Sequence, residues 1–289
     1  MDNPIVHCEG NPGAIKVLMY HRIVGDQDEC NGHWTCVGVT NFRKQLEMID
    51  RWGFTPITFE DYRLFRRGEL SLPRKPIILT FDDGYLDTYT FAYPILREFG
   101  VKAVVFVVAE QRVESNYWDR HLNVSAAPLM KRHHILEMHE AGFEIGSHSL
   151  THPNLTQLPE DQAWEEVSRS RILLEILLNA TVSTFAYPYG ATNPVIKRMA
   201  ADAGDDVACS VATGPAVFCD DPYEVRRIPV PRSTRAAGFA LRVLTPFQYY
   251  GLTRWKVGNA LSGSAKNRKN GPAAAKEQQK LFELSETKG

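Results

Sequence analysis

The sequence predicts an α/β fold built on parallel strands closed into a barrel, and three observations predict it. Strand-like and helix-like patterns alternate along the chain, as repeated β/α units do. Residues 101–108 form an almost continuous, β-branched apolar run, the mark of a strand buried on both faces. Polar groups capable of chemistry stand just after several predicted strands (His21, Asp82 and Asp83, His148 and His152, Tyr189), and a parallel barrel carries its catalytic residues on the face formed by its strands' C-terminal ends.

The elements follow in order. A strand over 15–21 leads through a long loop to a helix near 40–51, broken by Gly53. A short strand runs to Ile57, and Thr58-Phe59-Glu60-Asp61 reads as a capping box opening a second helix. The strand at 77–82 ends on two aspartates, and a helix over 86–98 stops at Gly100. After the 101–108 strand, a helix at 131–141 ends at Gly142 and a strand at 143–147 delivers His148. Pro159 opens a long helix to about 178, and a strand at 182–187 enters Tyr187-Pro188-Tyr189-Gly190. Asn193-Pro194 gives the N-cap and first turn of a helix closed by Gly204. Strands near 206–211 and 225–230 complete the pattern, which contains no internal repeat.

Asp82 and Asp83 are adjacent carboxylates at the end of an apolar strand. Like charges at such a place raise each other's pKa unless a cation or hydrogen bonds compensate. A metal is the simplest compensation, with one aspartate as ligand and its neighbour as proton acceptor. His148 and His152, four apart in a Ser/Thr/Pro turn after another strand, can reach one ion together. Two histidines and a carboxylate leave open positions, which is the catalytic rather than the closed structural arrangement.

Thr80-Phe81-Asp82-Asp83-Gly84 and His148-Ser149-Leu150-Thr151-His152-Pro153 resemble the first two motifs of the polysaccharide deacetylase family, or NodB homology domain, over roughly residues 14–232. The resemblance implies a distorted (β/α) barrel of about seven parallel strands. It implies Asp83, His148 and His152 as ligands of a divalent metal (zinc by default, with iron, nickel or cobalt suited to the same donors) and Asp82 as general base. Phe185-Ala186-Tyr187-Pro188-Tyr189-Gly190 is similar to the third motif, in which the Tyr189 backbone N–H helps hold the oxyanion. The arginine that braces the base falls at Ala186 here, and Arg227, at the start of a late apolar strand, is the candidate substitute. No histidine follows His152, whereas the family carries its proton donor late in the chain. Met19-Tyr20-His21 ends the first strand instead, and first and last strands of a closed barrel are neighbours. This resembles the circularly permuted deacetylases of biofilm poly-N-acetylglucosamine. It makes His21 the general acid, with Met19 lining the acetyl pocket. Tyr187 and Trp118 are further candidate substrate contacts; Trp118, in a long polar connection after a strand, offers a face for a sugar to stack on and serves equally as a loop anchor.

The expected activity is removal of an acyl group, by default acetyl, from an N-acylated amino sugar. The rivals are a carbohydrate-binding pseudoenzyme, kept alive by Ala186, and a non-haem iron oxygenase using the same three ligands, which has no use for Asp82. His133, His134 and His139 share a helix-period segment and read as a solvated face rather than a second metal site.

Composition bounds the rest. The 289 residues, 44% apolar and 23% charged with net charge −1, suit a globular chain with no nucleic-acid partner. No run approaches a transmembrane span. The first ten residues lack the basic start and apolar core of a secretory signal, and five cysteines (Cys8, Cys30, Cys36, Cys209, Cys219) suggest reduced thiols. Both point to the cytoplasm and to a precursor glycan, including a lipid-linked one at the inner membrane face. Residues 1–234 are expected to form the barrel domain and 235–289 a basic, aromatic extension. That extension has ten Lys/Arg against three Asp/Glu, a net of +7 that leaves −8 for the remainder. Residues 239–261 either pack back on the barrel as a helix or rest on an anionic membrane surface. Residues 262–280 have a disordered composition.

Overall fold

The computed structural model describes residues 15–28, 30, 33–122, 125–211, 221–245 and 247. In chain order these form β1 (Lys16–Tyr20), β2 (Arg22–Val24), β3 (Cys36–Gly38), α1 (Val39–Arg51), β4 (Thr55–Ile57), α2 (Phe59–Arg66), β5 (Pro76–Phe81), α3 (Tyr93–Glu98), β6 (Val104–Val107), α4 (Arg132–Glu140), β7 (Glu144–Ser147), α5 (Glu160–Leu178), β8 (Thr184–Ala186), α6 (Pro194–Ala203), β9 (Val207–Cys209), β10 (Ile228–Pro229) and α7 (Ala236–Leu244).

Seven parallel strands run in the order β10-β1-β5-β6-β7-β8-β9, with β4 paired to the first half of β5. A parallel bridge from Cys209 to Val225 sets the end of β9 beside the segment that becomes β10. The path thus curls back on itself as a distorted (β/α) barrel. The first strand sits between the last and the fifth: Leu18 pairs with Ile228 on one side and Leu79 on the other.

Side chains alternate across each strand, so each strand serves two layers. Leu18, Tyr20, Leu79, Phe81, Val105 and Ile145 join the core between barrel and helices. Val17, Ile78, Val104, Phe106, Ala186, Val207 and Cys209 fill the barrel interior, which Phe59 and Tyr62 of α2 help close. Crowding there requires Gly146: a Cβ would lie 2.5 Å from the Phe106 ring and 2.7 Å from Thr184 Oγ1. Thr58 caps α2 with the expected reciprocal box to Asp61. The helix expected over 86–98 begins instead with a widened turn at Thr88–Ala92 before α3, because Pro94 has no N–H to give the preceding turn.

Two features correct the sequence reading. The loop after β1 contains the parallel pair β2–β3. Cys30 and Cys36 form a disulfide, against the expectation of reduced thiols; an odd cysteine count carries no information on which two side chains a loop brings together. Cys209 is free and buried in β9, while Cys8 and Cys219 lie outside the described residues. In α7, Phe239 and Val243 join the main core, with Phe239 stacked on Trp52 at 6.1 Å, and Arg242 Nε donates to Pro229 O at 3.1 Å. Of the 239–261 segment, residues 246 and 248–261 lie outside the described residues, as do all of 262–280. Among the described residues no helix is long and apolar enough to cross a membrane.

Candidate active site

The C-terminal strand ends converge, and the backbone there is strained. Of six non-glycine residues with positive φ among the described residues, four are Asp83 (72°), Ser149 (64°), His152 (69°) and Tyr189 (60°). Such conformations cost energy and persist where the surroundings over-determine them, which is common at functional sites. Gly84, also at positive φ, packs so closely that a Cβ would sit 3.1 Å from Val107.

The extension of β5 places Asp82 by an N–H···O bond to Tyr20 O (3.0 Å), and that of β7 places His148 by one to Val107 O (2.9 Å). Asp83, His148 and His152 are buried, with one donor atom from each within 4.8 Å of the others. Asp83 Oδ1 lies 3.1 Å from Nε2 of both His148 and His152. Neither contact has hydrogen-bond geometry, so this buried oxygen has no hydrogen-bond partner. Two ring nitrogens and a carboxylate oxygen facing one point are what a cation ligand set requires, and the residues fit a divalent metal. His148 Nδ1 donates to Ala186 O at 2.8 Å, which orients its Nε2 toward the same point. Burial alone would raise the Asp83 carboxyl; His148 and His152 outweigh it and hold Asp83 well below the usual carboxylate range. Burial lowers His152, while the aspartates overcome it at His148 and raise that imidazole.

Asp82 is paired with Arg227. Nη1 donates to Oδ1 at 2.6 Å and Nη2 to Oδ2 at 2.7 Å, with both side chains sealed from solvent. The guanidinium also donates to Thr80 Oγ1 (3.1 Å) and Ser210 O (3.0 Å) and lies over the Phe106 ring. Burial pushes Asp82 upward, but Arg227 and then His148 hold it lowered. His21 follows β1 at the same barrel end, its ring edge-on to Trp34 at 5.7 Å. Met19 is buried two residues earlier on the same strand face.

His152 is clamped. Trp118 stacks on its ring at 4.1 Å and 18°, and Tyr189 meets it edge-on at 4.8 Å. Trp118 is 7% exposed and one face is covered by His152, which corrects the expected sugar contact in favour of its alternative, a loop anchor. Tyr187 requires the same correction. Strand alternation turns it outward from Ala186, into the layer with Val167 and Ile196, where its hydroxyl donates to Tyr223 O. Glu166 went unnoticed in the sequence. From α5 its carboxylate accepts from Leu150 N, Thr151 N and Thr151 Oγ1 at 2.9, 2.8 and 2.6 Å, fixing the loop that carries His152. A glutamate on an amphipathic helix gives no signal of such a task. His133 and His134 lie on α4, where His134 Nδ1 accepts the Lys131 N–H.

Fold and strand-end groups together define a barrel hydrolase. Comparison with known proteins agrees: the family model described as polysaccharide deacetylase matches residues 70–208. The Bacillus subtilis protein YxkH, which carries the name of a polysaccharide deacetylase, is 24% identical over 228 residues, 79% of this chain and 75% of that protein. The poly-β-1,6-N-acetyl-D-glucosamine N-deacetylase of Staphylococcus aureus is 23% identical over 175 residues, 56% of this chain and 58% of its own length. Among solved structures, the Streptococcus pyogenes deacetylase PplD, in complex with acetate, superposes with a TM-score of 0.68 at 26% identity, covering 81% of this chain and 99% of PplD. These likenesses support a deacetylase of the NodB type, and the chain is an enzyme, a polysaccharide N-deacetylase by its homologues.

Proposed function

We propose that the protein is a metal-dependent hydrolase that removes the N-acetyl group from an amino sugar within a glycan. The observation that carries this reading is the meeting of Asp83 Oδ1 with His148 and His152 Nε2, beside an Asp82 held by Arg227. Asp83, His148 and His152 would hold the ion, with zinc the default for this donor set. When bound, the ion would supply an acidified water and polarise the amide carbonyl. Asp82 accepts the proton of the attacking water, and Arg227 keeps that carboxylate ionised and fixed in direction. The Tyr189 N–H, turned by its left-handed backbone, donates to the oxyanion. His21 donates a proton to the departing nitrogen, and Met19 packs beneath the acetyl methyl.

The Asp82–Arg227 pair favours hydrolysis over oxygenase chemistry, which has no role for a second, braced carboxylate. The substrate class is an N-acetylated oligosaccharide or polysaccharide, with lipid-linked precursors included in the test. The Cys30–Cys36 disulfide suits an oxidising compartment rather than the cytoplasm. The test is metal analysis together with acetate release from a panel of N-acetylated glycans and lipid-linked sugars, with Asp83→Ala as the blank. A metal-free preparation with full activity, or a loaded one that releases no acetate from any member, refutes the reading.

A further inference from the structure

Tyr117 is an exposed aromatic side chain held still at the mouth of the site. It is 41% exposed, as is Tyr189. Its hydroxyl donates to Thr151 O at 2.6 Å, and Thr151 directly precedes the ligand His152. Its backbone N–H donates to Ser115 O at 2.8 Å, and its ring meets Trp118 edge-on at 5.4 Å. Trp118 in turn lies flat on His152. Tyr117 is therefore one aromatic layer out from the ligand ring, with its ring open to solvent and both ends tied down. Fixing an exposed aromatic costs conformational entropy without burying it. Such pre-organisation lowers the cost of binding a partner to that ring.

The acetamide to be cleaved must reach Asp83 and His148, which are buried below the mouth. A sugar with its acetamide there projects its neighbour toward the rim where Tyr117 stands. A pyranose presents a flat face of C–H groups, which an aromatic ring covers well. We propose that Tyr117 is the stacking platform for the sugar adjacent to the one deacetylated, so that the enzyme selects chains of linked amino sugars over single ones. This deepens the reading above and rests on it for the placement of the cleaved sugar.

The experiment measures titration calorimetry with an N-acetylglucosamine pentamer and the N-acetylglucosamine monosaccharide, alongside acetate release, for wild type, Tyr117→Phe, Tyr117→Leu and Tyr117→Ala. Loss of the platform should weaken pentamer binding and raise its KM roughly tenfold in the Leu and Ala variants. Monosaccharide affinity and kcat should stay within about twofold, because the reacting groups are untouched. Tyr117→Phe, which keeps the ring but loses the hydroxyl tie to Thr151 O, should bind the pentamer more weakly than wild type and more tightly than the Leu and Ala variants. Metal content should match wild type in all variants, which separates stacking from damage to His152. Equal weakening of pentamer and monosaccharide, no weakening of either, or a wild type that binds both alike overturns the inference. Tyr117-dependent pentamer binding without acetate release keeps the platform and removes the deacetylase reading instead.

Discussion

Replacing Arg227 by alanine should disable the enzyme and destabilise the fold together. The guanidinium makes two short bonds to Asp82, at 2.6 and 2.7 Å, and two more to Thr80 Oγ1 and Ser210 O. Both partners of the pair are sealed in the barrel, with side-chain exposures of 0% and 3%. Truncating one member of such a pair leaves a buried charge uncompensated, which costs about 3–5 kcal/mol. Arg227 is also the largest influence holding the Asp82 carboxyl down against burial. Without it Asp82 protonates more readily and loses both its charge and its fixed direction, so turnover should fall by roughly 10²–10³. Arg227→Lys keeps the charge but not the planar fork and should fall between. The measurements are urea unfolding and acetate release for Arg227→Ala, Asp82→Asn and the double variant. A true pair makes the double variant more stable than the two single losses summed would allow, by on the order of 2 kcal/mol. An Arg227→Ala protein with the wild-type midpoint and the wild-type rate refutes the argument.

His21→Ala should keep its metal yet lose about 10²–10⁴ in turnover, checked by metal analysis beside acetate release. Glu166→Ala removes three hydrogen bonds from the His152 loop. It should lower metal affinity roughly 10- to 100-fold in a competition titration, and unchanged affinity would show the brace to be dispensable. Asp205, at the opposite barrel end between α6 and β9, has two buried oxygens without hydrogen-bond partners, and burial pushes its carboxyl up from 3.8 to about 8. The folded state therefore binds a proton that the unfolded state has released between about pH 4 and pH 8, so stability from this group falls as pH rises through that window. Asp205→Asn should flatten the decline and stabilise the protein by on the order of 3 kcal/mol at pH 8, less at pH 5, in thermal melts at both pH values.

What could be read in advance follows from how local each signal is. Asp82-Asp83-Gly84 and His148 to His152 are short segments at the ends of apolar runs, and their chemistry is written in adjacent letters. The strand carrying Met19 could be placed because an apolar run beside a histidine is also local. Tyr187 was misread although strand alternation, with Ala186 facing the interior, turns the next residue outward. Trp118 could not be resolved, since nothing near it in the chain shows that its face lies on a ring 34 residues away. Glu166 and the Cys30–Cys36 bond depend on how helix and loop fold back, and no periodicity encodes either.

The Asp82–Arg227 pair shows how a barrel brings together side chains far apart in the chain. The interior is a shared volume, so a group that must touch Asp82 can be delivered from any strand whose inward positions lie at the right height. β10 reaches β1, and β1 reaches β5, the strand that ends at Asp82. An arginine entering from residue 227 therefore spans only two strand spacings to a carboxylate 145 residues earlier in the chain. In that shared interior its guanidinium lies over the Phe106 ring. The same adjacency brings His21, which follows the first strand, to the barrel end where Asp82 stands. Closure, rather than order along the chain, decides which side chains can meet at the mouth.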